Sequence, residues 1–373
     1  MSTPDSTGGD AIVHVIGATI AGGAETFVGH LVEALAAAGK PVALLVLSNR
    51  SDTAGDTLRR RLDGAGIPWF CGPGYRVGAA TVRWYRRKLR EINPGIVHLH
   101  TPNTEQVHYL ATWPGHPARL FRTLHSTMLK TNPLGRWAMA RNRMQASIAC
   151  GTEVAQLART AVKGAVACIP NGVAFHWPVQ NPEEKLRARL RLGLEAQAWH
   201  CLSVGRFSAD RIEALPKAQD ILLQAWRGAR FGRDDVFLHL LGDGNRRASL
   251  ENSVKDIASI RFQGVRADVH DWLLAADCFV MPSRYEGLPI AGIEAVGTGV
   301  PCIFSDIAPL RELACANARW VPPDEVFALR EALQAAAAQC VEAGADAEDF
   351  RRRYGLGAAV AGYIGLYETC RHV

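Results

Sequence analysis

Short apolar runs alternate with longer segments whose apolar residues recur every three or four positions, and this alternation extends over most of the 373 residues. AIVHVIG (11 to 17) is the first such run and ends on a glycine. A glycine-containing turn, ATIAGGAE, follows, and then TFVGHLVEALAAAGK, which has helical spacing and stops at Gly39. PVALLVL (41 to 47) reads as a second buried strand. Strand, helix and strand in succession form the unit of a parallel sheet. The pattern continues through GIVHLHT, RLFRTLHS, ASIACGT and VACIPNGV. It restarts at WHCLSVGRF (199 to 207), after the charged segment NPEEKLRARLRLGLEAQ. From there it runs through VFLHLLGDG, SIRFQGV, CFVMPS and VPCIFSD, with helical stretches such as KAQDILLQAW and DVHDWLLAA between them.

The expected fold class is therefore α/β, with two doubly wound halves that divide near IPNGV: residues 11–172 and 173–356. The last stretch, GAAVAGYIGLYETCRHV, is an amphipathic helix that either closes the second half or, over 357–373, packs back on the first. Hydrophobic residues make up 48% of the chain and charged residues 21%, a globular composition with enough length for two cores. The first ten residues lack the basic and apolar regions of a secretory leader, and no run is long enough to cross a bilayer, so a cytoplasmic location is expected. Nine cysteines are scattered without a CxxC pair, which suits reduced, mostly buried thiols rather than a zinc site.

Charge changes the picture of the first half. Residues 1 to 171 hold 19 lysines and arginines against 10 acids, an excess of nine, whereas residues 172 to 373 hold 23 against 26. The excess concentrates in TVRWYRRKLREINP (81 to 94) and KTNPLGRWAMARNRM (130 to 144), where Trp84, Tyr85 and Trp137 interleave with arginines. Two solvated helical faces would have this composition, and so would a surface for phospholipid headgroups or nucleic acid.

In open α/β sheets ligands bind beyond the carboxyl ends of the strands, so the residues just after each strand are the candidates for chemistry. They are Gly22 and Gly23, His100, His125, Gly205 and Arg206, Gly242 to Gly244, Gly264 and the stretch SRYEGLPIAGIEAVGTGVP (283 to 301). Gly22 and Gly23 open a helix whose free N–H groups suit a phosphate, although the turn is not GxGxxG and could be purely structural. Arg206 and Lys217 could clamp a diphosphate, the arginine as a fork and the lysine as a point charge, or could be two solvated cations. A histidine that ends a strand, as His125 and His100 do, is more often a satisfied structural residue. In the stretch at 283, Pro289 is expected as the first helical residue, with the N–H groups of Gly287 and Leu288 at the helix start, Ile290 following, Glu286 just outside and Glu294 about five residues in. The two carboxylates have no basic neighbour after Arg284 and are suited to accept hydrogen bonds from vicinal hydroxyls.

Together GGAE, LHS, IPNGV, SVGRF, KAQD, LLGDG, FQGV and the Glu286 to Glu294 stretch resemble the retaining glycosyltransferases of family four, over nearly the whole chain. The resemblance implies the GT-B fold, two Rossmann-like domains facing across a cleft, the first for the acceptor and the second for the nucleotide sugar. It implies that Gly22 and Gly23 approach the sugar or diphosphate, that Arg206 and Lys217 stabilise the departing diphosphate, and that Glu294 binds ribose. Glu286 would hold sugar hydroxyls and His125 would sit beside the anomeric centre, with Gly205, Gly242, Gly264, Gly287, Leu288, Pro289 and Ile290 lining the nucleotide-sugar site. The segment FSADRIEALP before Lys217 is longer than the family's usual turn, which leaves Arg211 as a substitute for Lys217. No Asp-x-Asp triplet occurs, in keeping with a reaction that needs no metal or other cofactor. The expected partners are a UDP- or GDP-sugar donor and a lipid-linked or envelope polysaccharide acceptor, with an anionic membrane surface on the basic half and no nucleic acid. An epimerase or a coupling enzyme on the same fold, a transferase for a small soluble acceptor, a non-catalytic nucleotide-sugar-binding module and, on the basic half alone, a nucleic-acid-binding protein are the alternatives.

Overall fold

The computed structural model describes residues 9–20, 22–74, 77–113, 115–127, 133–211, 214–313, 318–339 and 347–370. Lys130 to Asn132 at the head of the second basic stretch, Cys315, Cys340 and the last three residues lie outside them.

Two compact units are present, one made of the chain up to Asn171 together with the part from Leu356 onward, the other of Gly172–Gly355. The first unit has seven strands, β1 (Ile12–Ile16), β2 (Val42–Val46), β3 (Trp69–Cys71), β4 (Ile96–Leu99), β5 (Arg119–Leu124), β6 (Ala146–Ala149) and β7 (Val166–Cys168). All pair in parallel, in the order β3-β2-β1-β4-β5-β6-β7. The second has β8 (Trp199–Val204), β9 (Val236–Leu241), β10 (Ile260–Gly264), β11 (Cys278–Met281), β12 (Cys302–Ser305) and β13 (Ala318–Val321), parallel in the order β10-β9-β8-β11-β12-β13. Each unit is thus doubly wound. The order reverses between β1 and β4 in one sheet and between β8 and β11 in the other, and the crevice at such a reversal is where ligands enter.

The central strands are buried along their whole length and mostly apolar because helices cover both faces. On β1 the period of two sends Val13 and Val15 to a core that holds Tyr85 and Leu89 of helix Ala79–Ile92 and Val107 of helix Pro102–Thr112. It sends His14 to the opposite face. Helix Leu356–Thr369 belongs to that face: Tyr363 bonds Thr123 at 3.0 Å, Tyr367 bonds His98, and Arg119 donates to the Tyr367 carbonyl at 2.6 Å. In the second unit Leu238, Leu240, Val280 and Ile303 of the sheet pack with Leu222, Leu223, Leu329 and Leu333 of the helices.

Two strands have no counterpart in the apolar runs read from the sequence, β3 and β13. Both are edge strands, three and four residues long and mostly half-buried, so neither needs an uninterrupted apolar run. Tyr85 is also corrected: it is fully buried and bonds His108 Nδ1 at 3.0 Å, so it is no part of the basic surface. Trp84 is half-buried against Gly72. Among the described cysteines Cys150, Cys201, Cys278 and Cys302 are buried, and all seven are free thiols.

Candidate active site

At the reversal of the second sheet the loop after β8 meets the loop after β11. Lys217, from the first, places its Nζ 2.6 Å from Glu286 Oε1, from the second, and Ser283 Oγ donates to the same oxygen at 2.6 Å. Glu286 is therefore not a carboxylate without a cation. Its partner lies 69 positions away, beyond the reach of any local spacing rule. Glu286 is 8% exposed, and a charge so buried requires a partner of this kind.

Arg284 holds the two loops in register. Its guanidinium donates to Asp220 Oδ1 and Oδ2 at 2.9 and 2.8 Å and to the Leu215 carbonyl at 2.8 Å, while its backbone N–H donates to Pro216 O at 2.8 Å. A bidentate arginine fixes angle as well as distance. Gln219 adds a bond from Nε2 to the Arg206 carbonyl at 3.3 Å. Ala218, between Lys217 and Gln219, takes φ 48°, a left-handed conformation that costs a residue with a Cβ and that these neighbours maintain.

The loop glycines have specific reasons to lack a side chain. A Cβ on Gly205 would stand 2.9 Å from Lys217 Cγ, so this glycine leaves room for the lysine stem on its way to Glu286. Gly242 has φ 135°, and a Cβ there would strike the Gly205 carbonyl at 2.0 Å; its N–H donates to Gly264 O at 2.7 Å. The loops after β8, β9 and β10 thus lie backbone against backbone, and any added side chain would separate them.

Pro289 is not the first helical residue. It occupies the N-cap with ψ 125°, and the helix runs Ile290–Thr298. Because Ile293 N–H already bonds the Pro289 carbonyl, the amides at the helix start are those of Ile290, Ala291 and Gly292, while Gly287 and Leu288 form the bend before it. An anion finds partial positive charge there. Glu294 lies one turn further in, and burial pushes its carboxyl up to about 7.

The first unit carries the other candidates. Gly22 is the N-cap of helix Gly23–Ala37 with φ 179°, extended backbone open to any residue, so its glycine is not required by conformation. His125 packs edge-on to Phe27 of that helix, ring centroids 6.1 Å apart, and bonds through Nε2 to His100 Nδ1 at 3.1 Å. Arg211 is exposed.

Two family models match consecutive parts of the chain: Glycosyltransferase Family 4 over residues 21–177 and Glycosyl transferases group 1 over residues 200–339. The chain belongs to the group 1 glycosyltransferases. EpsF of Bacillus subtilis, assigned to the glycosyltransferases, is 27% identical over 316 residues, 79% of each chain. The GDP-mannose:cellobiosyl-diphosphopolyprenol alpha-mannosyltransferase of Xanthomonas campestris is 30% identical over 188 residues, 48% of this chain and 46% of its own. Among solved structures Anabaena HepE in complex with UDP-glucose superposes with a TM-score of 0.77 at 17% identity, covering 96% of this chain and 99% of that one, which establishes the GT-B fold. Further relatives serve teichuronic acid and lipopolysaccharide core biosynthesis.

In this glycosyltransferase the structure gathers Gly205, Arg206, Lys217, Gly242, Gly264, Glu286 and the helix start at Ile290 on the second unit, and Gly22, Gly23 and His125 on the first. Sequence reasoning missed Arg284, Asp220, Ser283 and Gln219. The available signals were Arg284 as the sole basic residue of its stretch and the aspartate of KAQD, but their pairing required the sheet order.

Proposed function

We propose that this enzyme transfers a hexosyl group, with retention, from a UDP- or GDP-sugar to a lipid-linked or polysaccharide acceptor of the cell envelope. The observation that carries the reading is the Lys217 to Glu286 pair, set at the sheet reversal beside the free amides of Ile290, Ala291 and Gly292. A diphosphate would lie on these amides and between Arg206 and Lys217, which neutralise the charge that grows as the glycosidic bond breaks. Glu286, freed in part from Lys217 by the phosphate, accepts from sugar hydroxyls, and Glu294 accepts from the ribose. His125 contacts the sugar near its anomeric carbon. The acceptor hydroxyl attacks from the face that the diphosphate leaves and gives its proton to the departing phosphate oxygen, so no protein nucleophile is assigned. The two cations do the work that a metal ion does elsewhere, and rate comes from positioning and charge stabilisation. HepE with UDP-glucose and the mannosyltransferase named for GDP-mannose support a nucleoside diphosphate donor of either base.

Thermal unfolding in the presence of UDP-glucose, UDP-galactose, UDP-N-acetylglucosamine and GDP-mannose tests the donor. One of them is expected to stabilise by about 2.7 kcal/mol at a hundredfold excess over Kd. Because a hydroxyl donates to an ionised Glu294 and burial holds that group near 7, affinity should rise from pH 6 to 8 and the rise should vanish in Glu294→Gln. No stabilisation by any donor, or an inverted anomer in the product, would remove this reading.

The acceptor half of the proposal draws on the first unit. Helix Pro102–Thr112 packs between helices Ala79–Ile92 and Pro133–Arg141, so their outer surfaces adjoin. Trp113 (62% exposed) and Trp137 (43%) flank Tyr109, Arg141 lies over the Trp137 ring at 5.1 Å, and Arg83, Arg87 and Arg90 are exposed on the first helix. Arg86 is committed to the Leu110 and Ala111 carbonyls. Aromatic rings with arginines suit an anionic lipid interface. The protein should float with vesicles containing anionic phospholipid and remain behind with purely zwitterionic ones; equal recovery from both would argue against a membrane role.

A further inference from the structure

Three of the histidines in the first unit are joined into one chain. His14 on β1 bonds through Nδ1 to His100 Nε2 at 2.9 Å, and His100 Nδ1 meets His125 Nε2 at 3.1 Å. His98 stacks beside them, with ring centroids 5.1 Å from His14 and 4.5 Å from His100. Nitrogens of His14, His98 and His100 come within 4.8 Å of one another, but both nitrogens of His98 are already engaged, by Tyr367 and by Thr123, so the trio is not a cage for a metal. His14, His100 and His125 form a line, from the sealed interior to the carboxyl edge of the sheet.

Burial keeps these rings neutral, lowering His14 to about 3 and His125 to about 4 and holding His98 and His100 well below the ordinary histidine range. A neutral imidazole has one N–H and one lone pair. Three rings joined by two hydrogen bonds therefore have two arrangements. Donating outward, the chain leaves a lone pair at His14 Nε2 and an N–H at His125 Nδ1; donating inward, it leaves the reverse. Both end atoms are buried without a hydrogen-bond partner. A bare N–H is the harder group to leave unsatisfied, and His14, with no exposed surface, has no route to a ligand. The unsatisfied N–H belongs at the other end.

We propose that His14 and His100 are positioning residues forming a one-way relay that holds His125 as its Nδ1–H tautomer, a neutral donor aimed at an oxygen of the bound sugar. The ligand half of this statement rests on the sugar-facing reading of His125 above; the relay itself does not.

The test uses the full chain labelled with [15N]histidine, without any sugar nucleotide, and reads which ring nitrogen carries the proton from long-range proton–nitrogen correlations. The His125 signals are assigned by their loss in His125→Gln. In the wild type Nδ1 should be protonated. His100→Phe, which removes the donor to Nε2, should return His125 to the Nε2–H form that a free histidine favours. His100→Asn, whose amide nitrogen stands near the Nδ1 position, should keep the wild-type pattern. kcat should fall about tenfold in His100→Phe, the loss that one hydrogen bond represents, and recover in His100→Asn. A wild-type His125 found as Nε2–H overturns the relay whether or not any variant folds. Unchanged turnover in His125→Gln would overturn only the sugar contact, with the tautomer pattern still recording the relay.

Discussion

Glu286→Gln is expected to lower turnover by about a hundredfold or more while the protein remains folded. The substitution keeps shape and volume but removes the charge that accepts from Lys217 Nζ and Ser283 Oγ, each at 2.6 Å. Lys217 then loses the group that aims it, and the sugar hydroxyls lose a charged acceptor, so both ends of the proposed donor are affected by one atom's change. Folding should survive because the Lys217 side chain is 24% exposed and water can take over part of its solvation. Lys217→Met should cost a similar factor from the other side of the pair. If the two act as a unit, the double variant will be little slower than either single one, because groups that work together are strongly non-additive. Measuring kcat and KM for the three variants, with a thermal scan of each, checks the expectation. A Glu286→Gln enzyme with wild-type kcat would end the assignment of this site, whatever donor binds.

Stability is expected to fall steeply as the pH drops below about 6.5. His14, His108 and His239 are lowered by burial to about 3 and His125 to about 4, with His98 and His100 well below the ordinary value. Between those values and 6.5 the unfolded chain binds protons that the folded one refuses. Their contribution is therefore complete above 6.5 and is lost as pH falls, at up to about 1.4 kcal/mol per group and pH unit. Two carboxyls act in the opposite sense. Glu294, raised to about 7, and Glu105, raised by burial next to Arg122, are protonated in the folded state at pH values where the unfolded chain has lost the proton, so their contribution is lost as pH rises. These six histidines, lowered the most, together with His116, His200 and His270, which burial also lowers, outweigh the two glutamates and leave a net acid lability. Five of the six are in the first unit, so unfolding below pH 6 should start there, and hydrogen exchange should show its strands opening before those of the second. A midpoint of denaturation that stays level from pH 7 to 5 would contradict neutral buried histidines, and with them the relay.

Much of this is legible in the amino-acid sequence. The apolar runs at 11 to 17, 41 to 47 and 199 to 207 became β1, β2 and β8, because a strand covered on both faces is mostly apolar along its length, and that property is local. Glycines and acids after strand ends were legible for a related reason: the carboxyl edge is where loops approach one another and where ligands arrive. Two of the four edge strands, β3 and β13, were not, since a half-exposed strand need carry no continuous run. Nor was the role of Tyr85, whose helix face is set by what helix Pro102–Thr112 presents to it.

By itself, then, the amino-acid sequence determined the element types, the α/β class, the two-part division and the family of motifs, all of which depend on neighbours a few residues apart. The tertiary structure alone decided that Lys217 pairs with Glu286, that Arg284 clamps Asp220, that the last helix returns to the first sheet, and that His14, His100 and His125 are hydrogen-bonded in a chain. Each of these depends on strand order. Placing β11 against β8 and β4 against β1 brings together loops and rings that the chain keeps tens of residues apart, and no local periodicity encodes that choice.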